Sequence, residues 1–408
     1  MLSAQVNDWM LHLIGEKAYI YYVAYPIALA ALVFCGTALR GVGTLTGKLW
    51  LLFGLWLLVD IPFSVWPSGS WNLLRPYLTR NLILFFVICG FAVNLRYIKL
   101  VMHSAIFGGL VVLAACMVFG SDENGRFHIP GSAFYDNAND LGIQLVVNIG
   151  FFAFLLSKKR IAARLLGMIS ILLSAFYILR TGSRGAFVGA VLLLVVSFVI
   201  TKNKSAIVLM LLPMVLVVPF VSRHALERLV MIYAKPETVI VSENDEATVA
   251  SQVSRQRLLR RSLEMTLRHP LFGVGPGQFI EATEGADRKR GQHSPALGTH
   301  NTYTEVSSEC GIIALVIFVA ALFGSLRKVR ALHKRTRDKP EFREIAHMSY
   351  AMILSLAGFC SVALFHHMSY SGYPLYLTGM AIALCLAAEP VLAKENSPPP
   401  LAAPARAR

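Results

Sequence analysis

Apolar runs of about 20 residues alternate with short polar links along almost the whole chain. A membrane-crossing helix needs about 20 mainly apolar residues. Runs of that kind fall at 18–39, 49–66, 80–97, 99–119, 139–157, 162–180, 184–201, 204–222, 304–325, 346–366 and 372–390. The segment Ala4 to Gly15, with Trp9, Met10, Leu11, Leu13 and Ile14, is apolar enough to hide a short twelfth element. The pattern predicts an all-α polytopic membrane protein of about twelve helices, eleven of them clear.

The links sort by charge. Arg40/Lys48, Arg96/Lys99, Lys158/Lys159/Arg160/Arg164, Lys202/Lys204 and the run Arg327 to Lys339 follow the odd-numbered spans. The segments 67–79, 120–138, 181–183 and 367–371, which follow even-numbered spans, are poor in Lys and Arg. Short basic links lie in the cytoplasm by the positive-inside rule, so the second set is external. Long loops escape that bias, and 223–303 is the one long loop. The expected organisation is a transmembrane bundle over 1–222, the external loop over 223–303, further transmembrane helices over 304–390 and a disordered cytoplasmic tail over 391–408, rich in Pro and Ala.

Composition agrees. The chain is 56% hydrophobic and only 15% charged, against about 25% charged for soluble domains. Its net charge of +15 sits mostly in the basic links, so it reports topology and not a nucleic-acid partner. The six cysteines lie in or beside apolar runs with neither metal spacing nor a loop framework, so neither disulfides nor zinc are expected. No basic region precedes the first apolar stretch, so no cleavable signal is expected.

Candidate chemistry gathers on the external side. Within the long loop, 251–268 reads as an amphipathic surface helix: Leu258, Leu259, Leu263 and Leu267 keep one face. His269-Pro270 ends it, and Gly273-Val274-Gly275-Pro276-Gly277 makes a tight turn. No strand precedes those glycines, which excludes a dinucleotide-binding loop. His300 follows, where a water-facing segment becomes a membrane helix. Glu305 and Glu309, four residues apart, share a face of that helix. Charge at membrane depth usually faces a wet cavity or a partner.

Each candidate has a plainer reading beside the functional one. Arg180 and Arg184 flank an external turn. Ser183 is placed to cap the next helix, whose N-terminus suits phosphate, and guanidinium forks add paired donors. The plainer account is snorkelling to lipid headgroups. Arg255 is either a substrate contact or a solvated helix charge; for Arg257, Arg260, Arg261 and Arg268 solvation is the better account. Headgroup anchoring explains Arg80, helix capping explains Asp140 beside Asn139, and interface placement explains Asp60. His300 is either a loop-bonded interface histidine or a general base, since a neutral imidazole accepts a hydroxyl proton at ambient pH. Glu305 or Glu309 orients it, holds the arginines or forms salt bridges with them. His293, His366 and His367 are external too, but without ligand spacing, so no metal is expected.

The set Asn137-Ala138-Asn139-Asp140, Thr181-Gly182-Ser183-Arg184-Gly185, Ser254-Arg255, His269-Pro270-Leu271-Phe272-Gly273-Val274-Gly275 and His300-Asn301 followed by Gly311 resembles the O-antigen ligase/polymerase superfamily of bacterial envelope glycosyltransferases. The resemblance covers about 75–370. Leu259 stands where that family often has an aromatic. The chain most resembles the ligases. That resemblance implies a bundle related to the membrane glycosyltransferase fold (GT-C-like), in the bacterial inner membrane with the site facing the periplasm. It implies a polysaccharide donor on undecaprenyl diphosphate, a lipid A–core acceptor, no nucleotide and no metal. His300, Arg184 and Arg255 would be the catalytic residues. Arg180, Arg80, Ser183, Asn301, Tyr303, Glu305, Glu309, Asn139 and Asp140 would line the substrates. The sister polymerase and a protein-glycosylating ligase share this chemistry. A secondary transporter should show paired broken helices in two repeats with midplane charge, and no repeat is visible. A lipid-binding scaffold would carry no catalytic histidine.

Overall fold

The structure is a computed structural model. It describes residues 40–201, 243–288 and 297–395 except 93, 124 and 133, together with positions 27, 30, 33, 37 and 291. The expected spans at 18–39 (but for those four positions) and 204–222, and the tail beyond 395, lie outside the described residues.

The chain is an all-α polytopic membrane protein. Among the described residues, eight helices are long and apolar enough to cross a membrane, and Arg184–Ile200 is a shorter apolar helix. In chain order the helices are α1 (Leu45–Asp60), α2 (Pro67–Pro76), α3 (Ile83–Gly90), α4 (Leu95–Phe119), α5 (Ala138–Leu156), α6 (Ile161–Arg180) and α7 (Arg184–Ile200). After the long loop begins come α8 (Glu243–Arg268), α9 (Phe279–Arg288), α10 (Thr302–Thr336), α11 (Arg343–Val362) and α12 (Gly372–Glu395). Many starts are written in the sequence. Thr44, Asn94, Asn137, Ser183 and Asn301 each cap a helix by accepting a backbone N–H, which satisfies one of the orphan donors of a first turn.

Burial ranks the spans, which hydropathy alone does not. The window of α5 is 83% buried and that of α6 only 39%, although both are apolar. Helix α11 packs on α5, α7, α10 and α12, and α1 packs on α10. Large side chains fill this interior: Trp50, Phe53, Phe85, Phe152, Phe318 and Phe359 are fully buried.

Three elements differ from expectation. The span expected at 80–97 runs from Pro67 to Gly90, so most of the expected external link 67–79 is helix. Pro67 opens α2 at a position where a missing N–H costs nothing. A wide turn over Tyr77–Leu82 follows Pro76, as expected where a proline disturbs the ladder. The segment after α4, expected to be external, folds into a hairpin, β1 (Ser121–Glu123) against β2 (Arg126–His128). Helix α10 extends eleven residues past the expected end at 325, and it is broken at Gly311 (φ 83°, ψ 175°).

That break is built, not incidental. A Cβ on Gly311 would run into the Leu271 carbonyl. Across the gap, the Val274 and Gly275 N–H groups donate to the carbonyls of Ser308 and Glu309 at 3.0 and 2.8 Å, and the Ile312 N–H donates to Pro270 at 2.8 Å. The glycine loop therefore replaces helix hydrogen bonds that the break removes, which membrane depth requires. Gly273 and Gly275, at φ 64° and 104°, give the loop its path. The half-helix Thr302–Cys310 is thus separated from the apolar shaft that follows it.

Candidate functional site at one end of the bundle

The segments after α4, α6, α9 and α11 meet at one end of the bundle, with His300 among them. Its backbone is left-handed (φ 51°), the one non-glycine residue with positive φ among the described residues. Such a conformation costs about 1–3 kcal/mol and clusters at functional sites. It turns the chain so that Asn301 can cap α10, accepting from the Tyr303 and Thr304 N–H groups at 2.9 and 3.1 Å. Thr302 then staples this start to the α11–α12 link. Its hydroxyl donates to the His366 carbonyl at 2.6 Å and accepts from the Met368 N–H at 3.1 Å. The staple sets the His300 ring 6.2 Å from that of His366 and 5.4 Å from that of His367.

His300 Nδ1 is buried without a hydrogen-bond partner. Burial pushes the imidazole pKa down to about 4, and the positive charge of Arg255 adds to this, followed by His367 and His366; Asp140 opposes them. The ring is therefore neutral at ambient pH and keeps a lone pair. Arg255 lies on α8. Helix α8 is held there by Thr266, whose hydroxyl lies 2.8 Å from that of Ser307 on α10.

Arg184 opens α7, directly after the cap Ser183, whose hydroxyl accepts from the Ala186 N–H at 3.4 Å. A Cβ on Gly185 would meet the Phe365 side chain, and one on Gly142 would meet Ala186. The start of α7 is therefore wedged between α5 and the residue before His366. His366 Nε2 lies 2.6 Å from Asp140 Oδ1, so Asp140 does more than begin α5. Arg126 donates to Asn139 Oδ1 at 2.8 Å and to the Thr181 carbonyl at 3.3 Å, tying the hairpin to both turns.

The other expected residues take different places. Glu309 accepts from the Gly277 and Phe279 N–H groups at 2.7 and 3.2 Å and from the Tyr370 hydroxyl at 2.7 Å. It fastens the glycine loop and the start of α9. Glu305 accepts from the Ser369 N–H at 3.0 Å. Tyr303 donates to the Cys360 carbonyl at 2.9 Å, into the helix packing. Arg180 pairs with Asp122 and lies over the Phe127 ring at 4.5 Å. Arg80 is exposed on the wide turn beside Asn81, which donates to the Tyr370 carbonyl at 2.9 Å.

Two plainer readings need correction. Asp60 is not at a wet interface: it is fully buried, facing Cys310 and Glu309. Arg261 is not a solvated charge: it makes a forked pair, 2.7 Å for each bond, with Asp287, which is 1% exposed. Of the expected apolar face of α8, Leu258 is buried while Leu259, Leu263 and Leu267 are exposed. Sequence reasoning missed the hairpin's Arg126 and the meeting of His366 and His367 with His300; no spacing rule links residues so far apart.

No curated protein matches the chain. Residues 169–319, from within α6 to within α10, match a family model described as O-antigen ligase. That stretch contains Arg184, Arg255, His300 and the Gly311 break, so the chain is similar to O-antigen ligases over the part that carries these residues.

Proposed function

We propose that this chain moves an O-antigen polysaccharide from undecaprenyl diphosphate to a sugar hydroxyl of lipid A–core, in the bacterial inner membrane with the site facing the periplasm. The observation that carries the reading is the buried His300 Nδ1 without a hydrogen-bond partner, at a left-handed turn into α10; burial and the positive charge of Arg255 both push its pKa down. Transfer from a lipid diphosphate needs a base for the attacking hydroxyl and positive charge for the departing diphosphate, and this arrangement supplies both.

In the proposed step the acceptor oxygen bonds to the anomeric carbon of the donor sugar. Its proton passes to His300. The bond from that carbon to the diphosphate oxygen breaks, and the electron pair leaves with the undecaprenyl diphosphate. Arg255 and Arg184, the latter at the N-terminus of α7, face the developing charge. Positive charge and free N–H groups at a helix start suit a phosphate. Preorganised donors of this kind are worth about 10²–10³ each in rate. Attack opposite the leaving group inverts the anomeric centre; anomeric analysis of donor and product checks this, and retention would refute it. Arg180 and Arg80 line the approach to the site. Asn301, Ser183, Glu305, Glu309, Tyr303, Asn139 and Asp140 position it through the bonds described above. The step needs no metal, so a chelator should not slow it.

Repeat-unit polymerisation uses the same chemistry with a different acceptor. Purified protein given a polyprenyl-diphosphate glycan and either lipid A–core or a second repeat unit separates the two. Product on lipid A–core alone supports the ligase; product on the repeat unit alone supports the polymerase.

A further inference from the structure

Three imidazoles meet at this site, and the transfer chemistry uses one. One ring nitrogen from each of His300, His366 and His367 lies within 4.8 Å of the others. His366 is 5% exposed, and its Nδ1 is buried with no hydrogen-bond partner. Its Nε2 faces the Asp140 carboxylate at 2.6 Å. A carboxylate only accepts, so Nε2 carries a hydrogen and Nδ1 is the nitrogen available to an ion. A carboxylate behind the far nitrogen is how metal-ligating histidines are oriented. His300 Nδ1 is a second buried nitrogen without a partner. Unpaired buried polar atoms are costly, and one cation would satisfy both.

The donor set fixes the class of ion. Imidazole nitrogens suit zinc, nickel and copper, whereas magnesium and calcium require oxygen ligands. Three protein nitrogens with a fourth position open match a four-coordinate zinc site with an exchangeable ligand. Nitrogens around such an ion lie about 3.3 Å apart, given metal–nitrogen bonds of about 2.0–2.1 Å. The nitrogens, within 4.8 Å of one another, must draw in by up to about 1.5 Å to close the set, and His367 is its exposed member. The charge of Arg255 acts against a bound cation at His300, and that of Asp140 offsets it.

We propose that His300, His366 and His367 form a binding site for a borderline divalent transition-metal ion such as zinc, with Asp140 orienting His366, and that the bound ion blocks transfer by occupying the imidazole of His300. The binding rests on geometry alone. The blocking rests on the proposed role of His300 as base.

The test titrates zinc into the purified full chain in nanodiscs against a chromophoric chelator, and repeats it with magnesium. The ligand-field spectrum of bound cobalt is recorded in parallel. The expected result is one zinc per chain, no magnesium, and a four-coordinate cobalt spectrum. His367→Ala, which removes an exposed side chain, should weaken zinc by tenfold or more. Asp140→Asn should weaken it about 10–100-fold. Zinc should stop transfer by wild type, and chelator should restore it. Absence of stoichiometric zinc, or unchanged affinity in His367→Ala, overturns the site and leaves the transfer reading intact. Stoichiometric zinc with undiminished transfer overturns the block and removes His300 as base.

Discussion

The two ends of the bundle use charge differently. At the end that carries the basic links, Lys99 and Lys158 share Glu344, and Arg335 pairs with Glu389 at 3.0 Å. These groups are half-exposed to exposed, and solvent-exposed pairs contribute about 0–1 kcal/mol. Their number follows from topology. At the other end, buried polar groups hold neighbouring segments in place. Glu309 holds the glycine loop, Thr302 staples the histidine link, and Asp140 orients His366. Charge at one end thus sits in the short links, while at the other burial and partner geometry hold the segments together.

The largest effect that would break this contrast is loss of the groups proposed to react. His300→Ala, Arg184→Ala and Arg255→Ala should each reduce transfer by about 10²–10³ or more while leaving the protein folded. Arg→Lys should rescue poorly because a point charge lacks the paired donors of the fork. Initial rates measured beside thermal unfolding of each purified variant check this, and normal transfer by Arg255→Ala would remove that residue from the site.

Next come the supports. Gly311→Ala should prevent recovery of folded protein, because its Cβ would collide with the Leu271 carbonyl and its backbone is left-handed. Glu309→Ala leaves two N–H groups and the Tyr370 hydroxyl without their acceptor, at about 1–3 kcal/mol for each unsatisfied group. Thermal unfolding in detergent should show a marked fall.

The pH profile gives a smaller and sharper test. A base acts in its neutral form, so activity should persist from about pH 8 down to about pH 5 and fall only as pH approaches the pKa of about 4 set for His300. An acid limb near 6.5, the ordinary histidine value, would show that burial and Arg255 do not act on it. The smallest effect belongs to the opposite end. Glu389→Ala should change stability by less than about 1 kcal/mol and transfer not at all; a large loss of transfer would erase the distinction between the ends.

Much of this was legible along the chain. Apolar run length set the helices, and the alternation of Lys and Arg grouped the links that the structure brings to one end. Ser183 announced a helix start because its side chain suits the cap, whereas the cap of α5 is Asn137 and not the expected Asp140. The glycines of 273–277 announced a turn. What could not be read was partnership over distance. Gly311 reads as an ordinary helix glycine until Leu271 is beside it. Asp60 sits near the end of its apolar run, so depth could not be judged, and Arg261 looks solvated until Asp287 is found against it. His366 and His367 lack ligand spacing because spacing rules describe one element, and the staple through Thr302 joins two.

The central claim is that His300 takes the proton of the attacking hydroxyl. Its most direct test is single-turnover transfer from a polyprenyl-diphosphate glycan to lipid A–core by purified wild type and His300→Ala, matched for folded protein. The account predicts donor binding by both and product from wild type alone. Product formation by His300→Ala at the wild-type rate would contradict it.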